Sequence, residues 1–375
     1  MRITFKFFRM KSNNLILADR LFTGRNWLPN HIIEISNGLI RDCRPAHASD
    51  KPAAHYPIIA PAFMDIQVYG AGGRLFSVYP EPASLQVLYE HCLGGGTSHF
   101  QPTVATNTKE VFFRCIDAVR DYRDAGGKGC IGLHLEGPWI NPVKRGAHMA
   151  SLVCKPADTD IDEMLAYGEG VVTMITLAPE VCTPEQIRKI QARGIIVSAG
   201  HSNASYTQAT DAFDKGITTA THLFNAMSSL QHREPGMVGA IFNHTAVHAS
   251  IIPDGYHVDF AAIRIAKKQM GERLFAITDA VTETAEGPYP HQRAGDKYES
   301  GGILSGSAMR MSDALLNLIH KAGIETDEAL RMVSMYPAAV MKLDQRKGSI
   351  AVGYDADLVA LREDLTVIAT LSSGN

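Results

Sequence analysis

Glu136, His201, His222 and Asp279 each close a short apolar, β-branched run: IGLHLEG, IIVSAGH, TTATHLFNA and LFAITDA. One acid and two imidazoles make a divalent-metal site with open positions. A further carboxylate can move protons. An unperturbed aspartate, with a pKa of about 3.9, is ionised at neutral pH, and the pKa of a water on a metal falls to about 7. If the four runs are strands of a closed barrel, their carboxyl ends meet at one mouth, where such folds keep their chemistry. The pattern is that of a metal-dependent hydrolase.

Each group also has an ordinary reading. Asp279 could cap the next turn. A lone histidine is more often packed than ligating. His134 lies on the same strand face as Glu136, so either could be a ligand. Four such groups at four strand ends outweigh these alternatives together. His257, in IIPDGYHVD, is placed to donate to a developing oxyanion, while Asp254 beside Gly255 reads as a turn former. The stretches NPVKRGAH and NAMSSLQHREPGMVGA carry Lys144, Arg145, His148, His232 and Arg233. A cationic loop beside a metal suits an anionic group such as a phosphate. The GAGG stretch, Gly70 to Gly73, reads as a tight turn and not as a dinucleotide fingerprint.

These groups need elements to position them. From Ile58 to about Asp344 the chain alternates strands and helices, which argues for a parallel sheet with crossover helices. Eight strand-like runs can be read: IIAPAFMDIQV, TSHFQPT, IGLHLEG, VTMITLAPE, IIVSAGH, TTATHLFNA, VHASIIPDG and LFAITDA. A closed barrel requires that number. Helical stretches between them, such as TKEVFFRCIDAVRDYRDAGG and TPEQIRKIQARG, end in glycine, and the second opens on Thr-Pro. SDALLNLIHKAG and TDEALRMVSMYPAAVMKL complete the outer ring. Both chain ends read as strands, with a hairpin signal at Asn37-Gly38, and predict a small sheet domain built from the two termini. The expected fold class is α/β, a (β/α)8 TIM barrel over residues 58–344 with the small domain over 1–57 and 345–375.

The chain has 375 residues, of which 45% are hydrophobic and 20% charged, with a net charge of -3. The length leaves room beyond the roughly 250 residues of a typical barrel. Nothing in the charge points to nucleic acid. No run approaches the roughly 18 apolar residues of a membrane span. The leading MRITFKFFRMKSNN is interrupted by Lys6 and Arg9 and reads as a short disordered lead or an early start, not a signal peptide. The six cysteines form no C-x-x-C pair and read as reduced thiols of a cytoplasmic protein.

The segments PAFMDIQVYGAGG, HLEGPWINPVKRGAH, LAPE, SAGHSNASY, THLFNAMSSLQHREPGMVGA, DGYHVD, ITDA and LSGSAMRM follow one another from Pro61 to Met311. In content and order they resemble the N-acetylglucosamine-6-phosphate deacetylase family of the amidohydrolase superfamily. The β-rich ends are similar to that family's small β-sandwich. The resemblance implies that Glu136, His201 and His222 hold one divalent metal ion per subunit, with zinc the default and iron(II) or another divalent ion also fitting. It implies that Asp279 is the general acid/base and that His257 contacts the acetyl carbonyl. Ala147, His148, Asn225, Ala226 and Arg233 match segments that hold the sugar phosphate. Leu304, Ser305 and Gly306 match a segment that closes over the substrate. The counterpart of Arg233 reaches a neighbouring subunit's site, which implies a homodimer acting on a small phosphosugar. Asp65-Ile66-Gln67 stands where the superfamily often has His-x-His, so one metal is expected, with Gln67 bonding near it. LSGSA in place of the commoner LAGSA, and His232 before REPG, are smaller departures. The implied reaction is hydrolysis of the acetamide. A cyclic-amide or dipeptide hydrolase on the same barrel is disfavoured by the cationic loops. A scaffold that has lost its metal is disfavoured because all four groups are present.

Overall fold

The computed structural model describes residues 14–373, so the reading of the first residues as a short lead lies outside the described part. Four strands come first: β1 (Asn14–Phe22), β2 (Trp27–Ser36), β3 (Leu39–Pro45) and β4 (Ala54–Pro61). β2 and β3 form the expected hairpin. Asn37 and Gly38 both take positive φ, 52° and 72°, as the favoured two-residue turn requires.

The barrel begins at β5 (Phe63–Val68). A hairpin follows, β6 (Gly70–Ala71) and β7 (Arg74–Leu75), turning at Gly72 and Gly73 as the GAGG reading expects. The remaining barrel strands are β8 (Thr97–Ala105), β9 (Leu133–Glu136), β10 (Val172–Leu177), β11 (Ile196–Ala199), β12 (Thr219–Ala220), β13 (His248–Ile251) and β14 (Leu274–Ala276). Every neighbouring pair from β5 to β14 is parallel. The chain beyond β14 closes the cylinder onto β5: Asp279 N–H donates to Gln67 O at 3.0 Å and Tyr69 N–H to Ala280 O at 2.8 Å. All eight expected barrel strands are present. Three short strands then form a separate antiparallel sheet: β15 (Gln292–Ala294), β16 (Lys297–Ser300) and β17 (Ile303–Ser307).

β18 (Leu358–Leu361) and β19 (Val367–Leu371) return to the start of the chain. The terminal strands make one six-stranded sheet in the order β19-β18-β4-β1-β2-β3. It curls around its own apolar core, which includes Ile16, Leu21, Ile33, Ile35, Ile59, Leu358 and Leu371. Its far edge comes back to the segment before β18, where Leu39 bridges Asp355. This is the small β-sandwich expected from the two termini.

One run divides differently from its reading. IIAPAFMDIQV is two strands in two sheets. β4 pairs antiparallel with β18 as far as Pro61 opposite Leu358. Ala62 N–H then donates to Asp357 O, and Phe63 N–H to Gly96 O, which hands the chain to the barrel. The terminal sheet therefore extends past residue 57 to Pro61. The run is buried from Ile58 to Val68, so no hydropathy change marks the crossing.

The outer helices follow their start and stop signals. Thr183 caps helix Pro184–Ala192 in a reciprocal capping box with Gln186. Helix Lys109–Asp124 starts on the Thr108 side chain. TDEALRMVSMYPAAVMKL breaks at Ser334 into Thr326–Val333 and Met335–Val340. A continuous helix would set the Pro337 ring against the carbonyl of Val333, four residues back.

Candidate metal centre and active site

The groups singled out in the sequence lie at the barrel mouth because each strand stops just before them. β9 ends on Glu136 itself, β11 two residues before His201, β12 two before His222 and β14 three before Asp279. His201, His222 and Asp279 have positive φ, 46°, 37° and 52°. A non-glycine residue held there costs on the order of 1–3 kcal/mol, and such residues cluster at functional sites. Hydrogen bonds hold each one. Asn141 N–H donates to His201 O at 2.9 Å. His222 N–H donates to Ser250 Oγ at 2.7 Å. Ser307 N–H donates to Asp279 O at 3.0 Å.

Three donor atoms share one point. Glu136 Oε1 lies 3.1 Å from His222 Nε2 and 3.3 Å from His201 Nε2, and the two ring nitrogens are 3.0 Å apart. His201 Nδ1–H donates to Lys144 O at 2.9 Å, which leaves Nε2 of the neutral ring with its lone pair toward that point. Neutral imidazoles and a carboxylate suit zinc or another first-row divalent ion. His148 approaches the other side of Glu136. Its Nε2 is 3.1 Å from Oε2, and Glu136, His148 and His201 also present possible ligand atoms within 4.8 Å of one another. Glu136 and His201 thus belong to both possible ligand sets, with either His222 or His148 as the third member.

The electrostatics follow from burial and proximity. Burial works to raise the Glu136 carboxyl, but the His201, His148 and His222 imidazoles outweigh it and hold the group well below the ordinary range. Burial pushes His201 down to about 4. The His222 imidazole is also opposed by burial, yet Glu136 brings it above its usual value. His134 lies one layer inside the barrel, with Nε2 2.7 Å from Thr176 Oγ1. Of the two residues on that strand face, Glu136 is the one at the mouth.

Asp279 is tied to the same network. Gln67 Nε2 donates to Asp279 Oδ1 at 2.8 Å and to Glu136 Oε1 at 3.0 Å. Gln67, expected to bond near the metal, bridges the two carboxylates. Burial chiefly, with the Glu136 charge, raises the Asp279 carboxyl against three nearby imidazoles. His257 Nε2 is 3.9 Å from Asp279 Oδ2. Its Nδ1 bonds Asp254 Oδ2 at 2.6 Å, which turns Nε2 toward the cavity. Asp254 does form the turn, accepting from the Tyr256 and His257 backbone N–H groups. The turn reading missed its second task of orienting His257.

A cavity of about 230 Å³ opens above these groups. Ala147, His148, Asn225, Ala226, Leu304 and Ser305 line it together with the charged cluster. Gly306 lies just behind, where a Cβ would meet the Val281 side chain at 2.6 Å and Asp279 O at 3.0 Å. Only glycine lets that strand approach so closely. Tyr69, Tyr289 and His291 also line the cavity and were not singled out in the sequence. Tyr69 OH donates to Glu136 Oε2 at 2.6 Å. A tyrosine two residues after Gln67 was the available signal, since alternate strand residues share a face.

Of the cationic loops, His148 lines the cavity while the lysine and arginine side chains lie outside it. Among the described residues no lysine or arginine lines this cavity. Arg145 Nη1 donates to His148 O at 2.7 Å in its own loop. Arg233 is exposed and borders a separate polar depression with Lys144 and Ser229. His232 is exposed as well. Sequence nearness to the site does not determine which way a loop side chain faces.

A barrel of this kind, with carboxylate and imidazole groups converging at its mouth, defines a metal-dependent hydrolase. The amidohydrolase family model matches residues 58–375, and the chain belongs to that family of enzymes. The N-acetylglucosamine-6-phosphate deacetylase of Homo sapiens is 36% identical over 338 residues, covering 84% of this chain and 82% of the relative. The N-acetylgalactosamine-6-phosphate deacetylase of Shewanella sp. (strain ANA-3) is 33% identical and covers 97% of both chains. Among solved structures, N-acetylglucosamine-6-phosphate deacetylase from Pasteurella multocida superposes with a TM-score of 0.92 at 31% identity, covering 96% of this chain and 98% of that one. The resemblance read from the motifs is borne out.

Proposed function

We propose that the protein hydrolyses N-acetylglucosamine 6-phosphate to glucosamine 6-phosphate and acetate. The observation that carries this reading is the meeting of Glu136 Oε1, His201 Nε2 and His222 Nε2 at one point, with Asp279 tied in through Gln67. Glu136, His201 and His222 are the metal ligands in this reading. Support comes from the two oxygens of Glu136: both of these imidazoles face Oε1, whereas His148 and Tyr69 bond Oε2. His148, held by Glu136 and Thr106, meets the substrate from the cavity wall with Ala147, Asn225 and Ala226 in this reading. One zinc ion per subunit is the favoured occupant, and iron(II) has the same ligand preferences here.

A divalent ion held there supplies charge that polarises the acetyl carbonyl and lowers the pKa of a water to about 7. Asp279 takes the proton of the attacking water. In its doubly protonated form His257, with Nδ1–H on Asp254, donates Nε2–H to the carbonyl oxygen as negative charge develops on it. Asp279 then returns the proton to the nitrogen as the C–N bond breaks, so amine and acetate leave with atoms in balance. Leu304, Ser305 and Gly306 cover the substrate.

The phosphate needs a cation that the cavity's own lining lacks. Arg233, exposed on the surface, meets that need from a neighbouring subunit, and the protein is a cytoplasmic homodimer in this reading. No helix among the described residues is long and apolar enough to cross a membrane. A second reading, in which the 4-epimer N-acetylgalactosamine 6-phosphate is the substrate, is favoured by the Shewanella relative's coverage of 97% of both chains. Acetate release from both phosphosugars and from unphosphorylated N-acetylglucosamine tests these assignments. The phosphorylated sugars should be turned over with far higher kcat/KM. Equal rates with and without the phosphate would refute the phosphosugar assignment.

A further inference from the structure

The stretch between Asp279 and Met309 crosses the mouth as a strap. Tyr289 OH donates to Thr106 O, just past the end of β8 and two strands round the barrel from β14. Tyr289 and Tyr298 pack with Tyr69, Leu75 and Val281 in a separate apolar cluster. Ser307 N–H bonds Asp279 O, and Val281 N–H bonds Ser307 O, so the strap is fixed to the catalytic end of β14. His291 hangs from this strap into the cavity and is only 5% exposed.

The imidazole of His291 is held but only half used. Its Nδ1 lies 2.8 Å from Ser305 Oγ. Its ring lies nearly parallel to that of Tyr289, 14° between planes at 6.4 Å. Thr284 N–H donates to its backbone carbonyl at 3.1 Å. It makes no hydrogen bond to Glu136, His201, His222 or Asp279, and Nε2 has no protein partner among the described residues. Burial pushes the imidazole down to about 4, so at neutral pH it has no charge to offer a phosphate. Whichever nitrogen carries the proton, a neutral imidazole still presents one hydrogen-bonding atom to the cavity. Leu75, Val281 and Leu304 line the same cavity, and a polar atom open to it is satisfied by a ligand hydroxyl or by water.

We propose that His291 is a specificity-determining residue whose Nε2 hydrogen-bonds a ring hydroxyl of the sugar, with Ser305 fixing its orientation. The proposal rests on the phosphosugar reading above and deepens it. In an N-acetylhexosamine 6-phosphate the acetamide occupies the metal end and the phosphate takes the cation. The ring hydroxyls remain for the strap to read. His291 thus supplies discrimination among hexosamines and takes no part in the chemical step.

The test is a cycle between residue and hydroxyl. The wild-type enzyme, His291→Phe and His291→Gln are each assayed with N-acetylglucosamine 6-phosphate and its 1-, 3- and 4-deoxy analogues, with bound metal measured in parallel. One analogue should lose about three- to tenfold in kcat/KM with the wild type, the size of one neutral hydrogen bond. That loss should vanish in His291→Phe and shrink in His291→Gln, with KM carrying the change and metal content unaltered. The glutamine variant gives the same readout should the phenylalanine variant not fold. Deoxy penalties that are the same in wild type and variants would overturn the proposal. Failure of the wild type to release acetate from the parent sugar would instead overturn the underlying reading.

Discussion

Asp279 faces two demands at once. It must stay close enough to Glu136 to share the Gln67 amide, and basic enough to accept a proton. Burial raises its carboxyl, which strengthens it as a base, since a catalytic pKa nearer the working pH is more effective. Asp279→Asn should therefore keep its bound metal and lose about 10²–10⁴ in kcat or more. Metal analysis and steady-state kinetics on the same preparation check both halves, and a near-normal kcat would end the assigned role. His257 and Asp254 form the next pair inward. Asp254→Asn should lower kcat while leaving KM for the phosphosugar nearly unchanged, because Asp254 bears on the substrate only through His257. Glu136, His201, His222 and Asp279 were legible only as a set, because each alone has an ordinary structural reading but four polar groups ending four apolar, β-branched runs do not share one. Tyr69, His291 and the second task of Asp254 were not. Each depends on a partner far along the chain or on the direction of a loop side chain, and local pattern carries neither.

The loops after the strands are braced against one another. Glu180, just past β10, accepts from Asn141 Nδ2 at 2.9 Å, Asn203 N–H at 2.7 Å and Ser202 Oγ at 2.7 Å. Asn141 in turn donates its backbone N–H to His201 O. One carboxylate thus ties the loop after β9 to the left-handed turn that aims His201. Removal of such outer partners typically costs about 10–100-fold in metal affinity. Glu180→Ala should show a loss in that range by competition with a chelator, and added metal should restore most of its kcat. A metal affinity equal to wild type would remove the brace from the account. Most strands and helices could be placed from periodicity and caps. The junction at Pro61–Phe63 could not, because the chain is buried continuously from Ile58 to Val68 and only the pairing partner changes.

Across the whole molecule, two long-range properties follow. If Arg233 serves a neighbouring subunit, mixing Arg233→Ala with Asp279→Asn should restore activity that neither variant has alone. A mixed dimer holds one site with both groups intact. No restoration after subunit exchange would place Arg233 outside the neighbour's site. Stability should also depend on acidity. Burial first, and the Arg310 charge second, push His91 down to about 4. An unfolded chain protonates the same group at about 6.5, so it binds protons before the folded state does. Stability present at neutral pH is therefore lost as pH falls from about 6.5 toward 4, by up to ~1.4 kcal/mol per pH unit from this group. His91→Gln should flatten that slope in urea titrations at pH 7 and pH 5, and an unchanged slope would discount the contribution.

The central claim is that one cation gathers Glu136, His201 and His222 and that acetamide hydrolysis depends on it. Acetate release from N-acetylglucosamine 6-phosphate should be measured before chelation, after it, and after one equivalent of zinc is returned. Activity should disappear with the metal and return with that single equivalent, but not in His222→Ala. Full turnover by chelated, metal-free protein would contradict the account.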